Sequence, residues 1–130
     1  MIVQGWPPNI EAIRAVLPVS EDNIFAYGGK IYSPGTKTLP IWLIEHERVH
    51  FAQQRLYGLR AWWQRFLDDE AFRLSQELPA YRVEYYEFCK ANADRNQRSM
   101  YLQQMARRLA APMYGSIITV AQALKEIRDG

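Results

Sequence analysis

His46-Glu47-Arg48-Val49-His50 holds the only two histidines of the chain, four residues apart. On an α-helix, positions i and i+4 lie on one face about a turn apart, so the two imidazoles can share one zinc ion. Glu47 follows His46 directly and comes close enough to act on water at the metal rather than on the metal itself. The flanking residues support a helix. Pro40 suits its first turn, with Thr38 or Leu39 just outside it, and Gly58 suits the C′ position, so the predicted helix runs from about Pro40 to Tyr57. Ile41, Trp42, Ile44, Val49 and Phe51 make it apolar on more than one side, as expected of a buried central helix.

Working outward toward the N-terminus, Asn9 is a candidate N-cap for a short helix over Ile10 to Val16, stopped by Pro18. Ile24 to Tyr32 places two β-prone runs around Gly28-Gly29, a pair that tolerates the positive φ of a type I′ turn, and predicts a β-hairpin. Toward the C-terminus, Leu59 to Leu67 reads as a short helix or structured connection. A long helical pattern follows from about Asp69 to Ala91. Leu74, Leu78, Tyr81, Tyr85 and Phe88 share one face of it, and Pro79 predicts a kink or restart. Arg98 to Ala110 is a further helix, broken by Pro112. Thr119 and Gln122 fit a capping box for a last helix ending near Arg128, with Val120, Leu124 and Ile127 as its buried stripe.

At 130 residues, 48% of them hydrophobic, the chain is expected to be one folded domain, residues 1–130. A net charge of +2 does not call for a nucleic-acid partner, and the arginines between Arg95 and Arg108 read as a solvated helix face. Cys89 is the only cysteine, so no internal disulfide can form. Met1 to Pro8 lacks the features of a signal peptide and no apolar run approaches the length of a membrane span, so a cytoplasmic protein without a membrane partner is expected.

Two histidines do not complete a catalytic zinc site, which takes three protein ligands and keeps one position for water. No third histidine exists, so the third ligand is a carboxylate on another element. If the Leu74–Phe88 stripe is buried, Glu70 and Glu77 fall roughly 40–60° from Leu74, near its edge. Glu84 lies further round and Glu87 points away. Glu77 is the preferred ligand, with Glu84 and Glu70 as alternatives. A carboxylate-bridged di-iron bundle would need a second Glu-x-x-His, for which no histidine remains.

The HExxH stretch, its continuation His50-Phe51-Ala52-Gln53-Gln54 and the downstream Glu77-Leu78-Pro79-Ala80-Tyr81 resemble the gluzincin branch of zinc metallopeptidases. They are similar to the small peptidases of phage or prophage type. The resemblance spans roughly Ile24 to Phe88. Gln76 stands where the longer gluzincin signature has an asparagine. The resemblance implies a mostly helical α+β, zincin-like domain with a small β-hairpin or sheet packed on the HExxH helix. It also implies hydrolysis of peptide or protein substrates at one zinc ion held by His46, His50 and Glu77. In that chemistry Glu47 is the general base, and Tyr81, on the helix of Glu77, is the candidate donor to the oxyanion. Tyr85 reads as a core residue. The rival reading is a non-catalytic zinc-binding or structural protein on the same scaffold, against which Glu47 counts. The same machinery serves a protein, a small peptide or a cell-wall peptide.

Overall fold

A computed structural model describes all 130 residues and shows a mostly helical α+β fold. In chain order its elements are β1 (Ile2–Val3), α1 (Ile10–Arg14), β2 (Phe25–Tyr27), β3 (Lys30–Tyr32), α2 (Ile41–Tyr57), α3 (Leu59–Asp68), α4 (Glu70–Ala91), α5 (Arg95–Leu109), a 3₁₀ turn (Pro112–Tyr114) and α6 (Val120–Asp129). The hairpin forms where expected. Gly28 and Gly29 both have positive φ, 60° and 82°, which a type I′ turn needs and L side chains resist. The sheet has a third strand that the sequence reading lacks: β1 pairs in parallel with β3, giving the order β1-β3-β2. The sheet is tied to the helices through one carbonyl. Ala26 O accepts hydrogen bonds from Gln54 Nε2 of α2 at 2.8 Å and from Trp63 Nε1 of α3 at 3.2 Å.

Two apolar clusters form the core. In the first, Trp62, Trp63 and Phe66 of α3 pack with Ile13 of α1, Phe25 of β2 and Phe72 of α4. In the second, α4, α5, the 3₁₀ turn and α6 close around Met105, Leu109, Tyr114 and Ile127. Arg73 links the two. It is buried, and its guanidinium donates to Phe66 O and Leu67 O at the end of α3 (2.7 and 2.9 Å) and to Met113 O in the 3₁₀ turn. No carboxylate pairs with it; the C-terminal carbonyls of α3 supply the complementary negative dipole.

Several local expectations need correction. The helix does not restart at Pro79: α4 is continuous for 22 residues. The proline removes one hydrogen bond, and packing of α4 against α2, α3, α5 and α6 carries the helix through. Helix α5 begins at Arg95, earlier than expected, because Asp94 caps it by accepting from Asn96 N at 2.8 Å. The capping box of α6 is present, but Val120 is exposed and Ala123 joins Ile127 in the buried stripe. Helix α2 departs furthest from its expected character. Its buried residues are His46, Glu47, His50 and Gln54, while Ile41 is exposed and Trp42, Ile44, Val49 and Phe51 are half-buried. The helix is central, but its most buried face is polar. No helix of the chain is long and apolar enough to cross a membrane.

Candidate metal centre

Helix α2 lies against α4, and the two present their polar side chains to each other between the apolar clusters. His46 and His50, one turn apart, have ring centroids 5.0 Å apart. Glu77 comes from α4 to meet both: its Oε1 lies 2.7 Å from His50 Nε2 and 3.1 Å from His46 Nε2. All three residues, and Glu47, are at most 9% exposed.

The outer nitrogen of each ring is also engaged. His50 Nδ1 donates to Gln53 Oε1 at 2.8 Å, and the Gln53 amide is oriented by its own Nε2 donating to Gln76 O at 2.9 Å. Behind it, Trp62 Nε1 donates to Gln76 Oε1. His46 Nδ1 lies 2.7 Å from Glu84 Oε1, a close contact not aligned as a hydrogen bond. Glu84 is 1% exposed and its Oε2 accepts from the Tyr101 hydroxyl. Tyr101 is stacked on Phe88, which meets Trp42 edge-on.

Each imidazole thus faces acceptors with both nitrogens. A neutral imidazole has one N–H, so Nε2 is left with its lone pair toward Glu77. Two buried imidazolium ions would resolve this, and so would a cation among the two Nε2 atoms and Glu77 Oε1. Two imidazole nitrogens and one carboxylate oxygen are the donor set of a catalytic zinc site. Ligands at about 2.0–2.1 Å from a tetrahedral zinc lie roughly 3.3 Å from one another. The 3.1 Å separation already approaches this, and the 2.7 Å one needs only a small opening.

Glu47 is a second carboxylate within reach. Its Oε2 is 3.6 Å from His46 Nε2, and ligand atoms of His46, Glu47 and His50 lie within 4.8 Å of one another. Geometry separates the two acids: Glu77 touches both Nε2 atoms at hydrogen-bond distance, and Glu47 touches neither. Their electrostatics differ too. Burial raises the pKa of Glu77, but His50 and His46 outweigh it and hold the carboxyl well below the usual carboxylate range. Burial pushes Glu47 up to about 7, against the opposing pull of His46 and His50. Environments that drive two carboxyls apart in this way assign them different roles.

The other expected residues are placed as follows. The Tyr81 ring stands edge-on to His46, 4.8 Å between centroids, and is buried. Burial and the charges of Glu77 and Glu84 raise its pKa, against Arg108, so the phenol keeps its proton at neutral pH. Tyr85 packs at the margin of the second core cluster. Glu84 reaches the outer nitrogen of His46 rather than the Nε2 side where Glu77 sits. Glu70 is exposed in the first turn of α4.

Tyr114, Tyr101 and Arg108 come from the C-terminal layer and were not singled out as site residues in the sequence. The Tyr114 hydroxyl donates to Glu77 Oε2 at 2.9 Å. Arg108 is exposed, as expected of a solvated face, and also borders the site beside Tyr81. Gln53 is given no role by the sequence reading either; its place one turn after His50 is the signal that could have found it. Tyr101, Arg108 and Tyr114 line a cleft of about 580 Å³ together with His46, Glu47 and His50. Leu17, Val19, Phe25 and Met113 add apolar surface to its lining. Comparison with protein-family models, with curated proteins and with solved structures finds no match.

Proposed function

We propose that this chain is a gluzincin-like zinc metallopeptidase that hydrolyses peptide (amide) bonds with Glu47 as general base. The observation that carries the reading is the split between two buried carboxyls beside paired imidazoles. One lies at hydrogen-bond distance from both Nε2 atoms, and the other stands 3.6 Å from His46 Nε2, one residue along the helix, where burial favours its protonated form. His46, His50 and Glu77 would hold the zinc. When bound, zinc supplies Lewis-acid polarisation of the scissile carbonyl and makes water at the site more acidic.

The chain's own residues do the rest. The cleft admits an extended peptide and its apolar lining takes up side chains. Glu47 removes a proton from the attacking water as oxygen bonds to the carbonyl carbon. It returns that proton to the amide nitrogen as the C–N bond breaks. Tyr81, protonated and beside His46, donates a hydrogen bond to the oxygen that gains charge. Gln53 and Glu84 fix the two imidazoles from behind, so that both present Nε2.

The metal half of the reading is tested by counting zinc in untagged protein purified without chelator, beside His50→Ala. About one zinc per chain in the wild type and none in the variant is the expected result; no zinc in either, even after adding it back, overturns the reading. Tyr81→Phe keeps the ring against His46 and removes only the donor. It should retain zinc and lower kcat by about 10²–10³-fold on any peptide the wild type cleaves. An unchanged kcat would remove Tyr81 from the mechanism. Zinc bound with no hydrolysis of any peptide would favour the non-catalytic rival.

A further inference from the structure

Glu77 uses its two oxygens differently. Oε1 meets both histidines, and Oε2 is turned away and accepts the Tyr114 hydroxyl at 2.9 Å. Tyr114 is 1% exposed, so no water competes for that bond. Its position is secured from both ends. The 3₁₀ turn that carries it closes at Gly115, which has φ 78° and donates its N–H to Pro112 O at 2.8 Å. One residue before Tyr114, Met113 O is gripped by the buried Arg73, whose other bonds anchor it to the end of α3. The phenol is thus delivered to Glu77 by an element braced by Arg73, which stands one turn before Glu77 on the same helix.

We propose that Tyr114 is a positioning residue that ties up the outer oxygen of Glu77, so that Glu77 offers a metal ion one oxygen and leaves a coordination position open. This rests on Glu77 being a metal ligand, as proposed above. A carboxylate with both oxygens free can chelate through both, and the second oxygen would fill the place that water needs in a three-ligand site. A hydrogen bond from a buried phenol to the carboxylate is charge-assisted and opposes that rotation. Glu84 and Tyr101 repeat the arrangement one layer out: a tyrosine hydroxyl holds one oxygen of a carboxylate whose other oxygen faces an imidazole.

The test is the full-length chain loaded with cobalt(II), compared with Tyr114→Phe. Cobalt reports coordination number through its visible absorption, intense when four-coordinate and weak when five- or six-coordinate. Wild type should show the intense band. Tyr114→Phe should still bind one cobalt but with a much weaker band, and its zinc form should lose about 10–100-fold in hydrolysis. A purely structural role for Tyr114 would lower the melting temperature and leave the band unchanged. Equal cobalt binding with identical bands in a folded variant overturns this inference alone. A weak band already present in the wild type also overturns it. No cobalt in either protein overturns the metal reading itself, and this inference with it. If Tyr114→Phe does not fold, zinc-edge X-ray absorption of the wild type decides: one close carboxylate oxygen supports the inference and two overturn it.

Discussion

Glu47→Gln should leave about one zinc per chain in place and lower hydrolysis by about 10²–10⁴-fold, the contribution of a positioned general base. The amide fills the same space and cannot accept a proton at neutral pH. Two facts make metal retention part of the expectation. Glu47 lies 3.6 Å from His46 Nε2, whereas Glu77 lies within 3.1 Å of both Nε2 atoms. Glu77 also has a dedicated partner for its outer oxygen in Tyr114. Zinc analysis and peptide hydrolysis on the same preparation read both halves. Turnover retained in Glu47→Gln would end its assignment as the base. Zinc lost along with turnover would reverse the roles given to the two carboxyls, making Glu47 a ligand. The substitution also removes a buried carboxyl whose ionisation is opposed, since burial has pushed Glu47 up to about 7. The variant is therefore expected to fold at least as well as the wild type.

What could be read in the sequence was local. The HExxH helix, the Gly28-Gly29 turn and the Thr119–Gln122 capping box are each specified by residues within a turn or two of one another, and each forms where expected. Glu77 was reachable because helical periodicity relates it to Leu74 on the same element, and the fold brings it to the two histidines. The rest depends on long-range packing. Strand β1 is two residues long and exists only because β3, some thirty residues away, offers a parallel edge. Nothing local marks Tyr114 either: Pro112 announced a break in the chain, but not that the turn after it would deliver a phenol to Glu77. Apolar count alone does not identify the buried side of α2, whose buried residues are His46, Glu47, His50 and Gln54. A helix whose polar face carries clustered histidines and a carboxylate turns that face inward and leaves Ile41 at the surface.

Burying this many polar groups is tolerable only if they satisfy one another, and the pattern of contacts explains how. His50 is held at Nδ1 by Gln53, His46 Nδ1 stands in close contact with Glu84, and each carboxylate, Glu77 and Glu84, is held at one oxygen by a tyrosine. Those contacts occupy the outside of the cluster. They leave its centre, the two Nε2 atoms and Glu77 Oε1, rich in acceptors and short of positive charge. The same packing that fixes the donors therefore makes the centre of the folded chain a receptor for protons or for a cation, and a cation that binds there would couple to stability.

That coupling gives the metal-free and zinc-loaded protein opposite responses to pH. In the metal-free chain burial pushes both imidazoles down, but Glu77, joined by Glu84 at His46, more than reverses this, so both folded values are raised. Stabilisation from a raised histidine is full below the unfolded value near 6.5 and is lost as pH climbs through the folded value. Glu47 acts in the same direction: between about 4.5 and 7 the folded chain keeps a proton that the unfolded chain has released. Glu77, held low, contributes only above the unfolded carboxylate value and loses its contribution in strong acid. The metal-free protein should therefore lose stability as pH rises from about 5 through neutrality. Zinc requires neutral imidazoles, so its contribution grows over the same range. At pH 8, zinc at 100 times its Kd should add about 2.7 kcal/mol. For a domain of this length that is a rise of roughly 10 °C in Tm. At pH 5 the rise should nearly vanish, because protons hold both Nε2 atoms. Thermal unfolding with chelator and with zinc at several pH values measures the two curves, and in His50→Ala the zinc-dependent gap should close at every pH. A metal-free protein that gains stability from pH 6 to pH 9, or a wild type indifferent to zinc at pH 8, would contradict the acceptor-rich centre on which the metal site is argued.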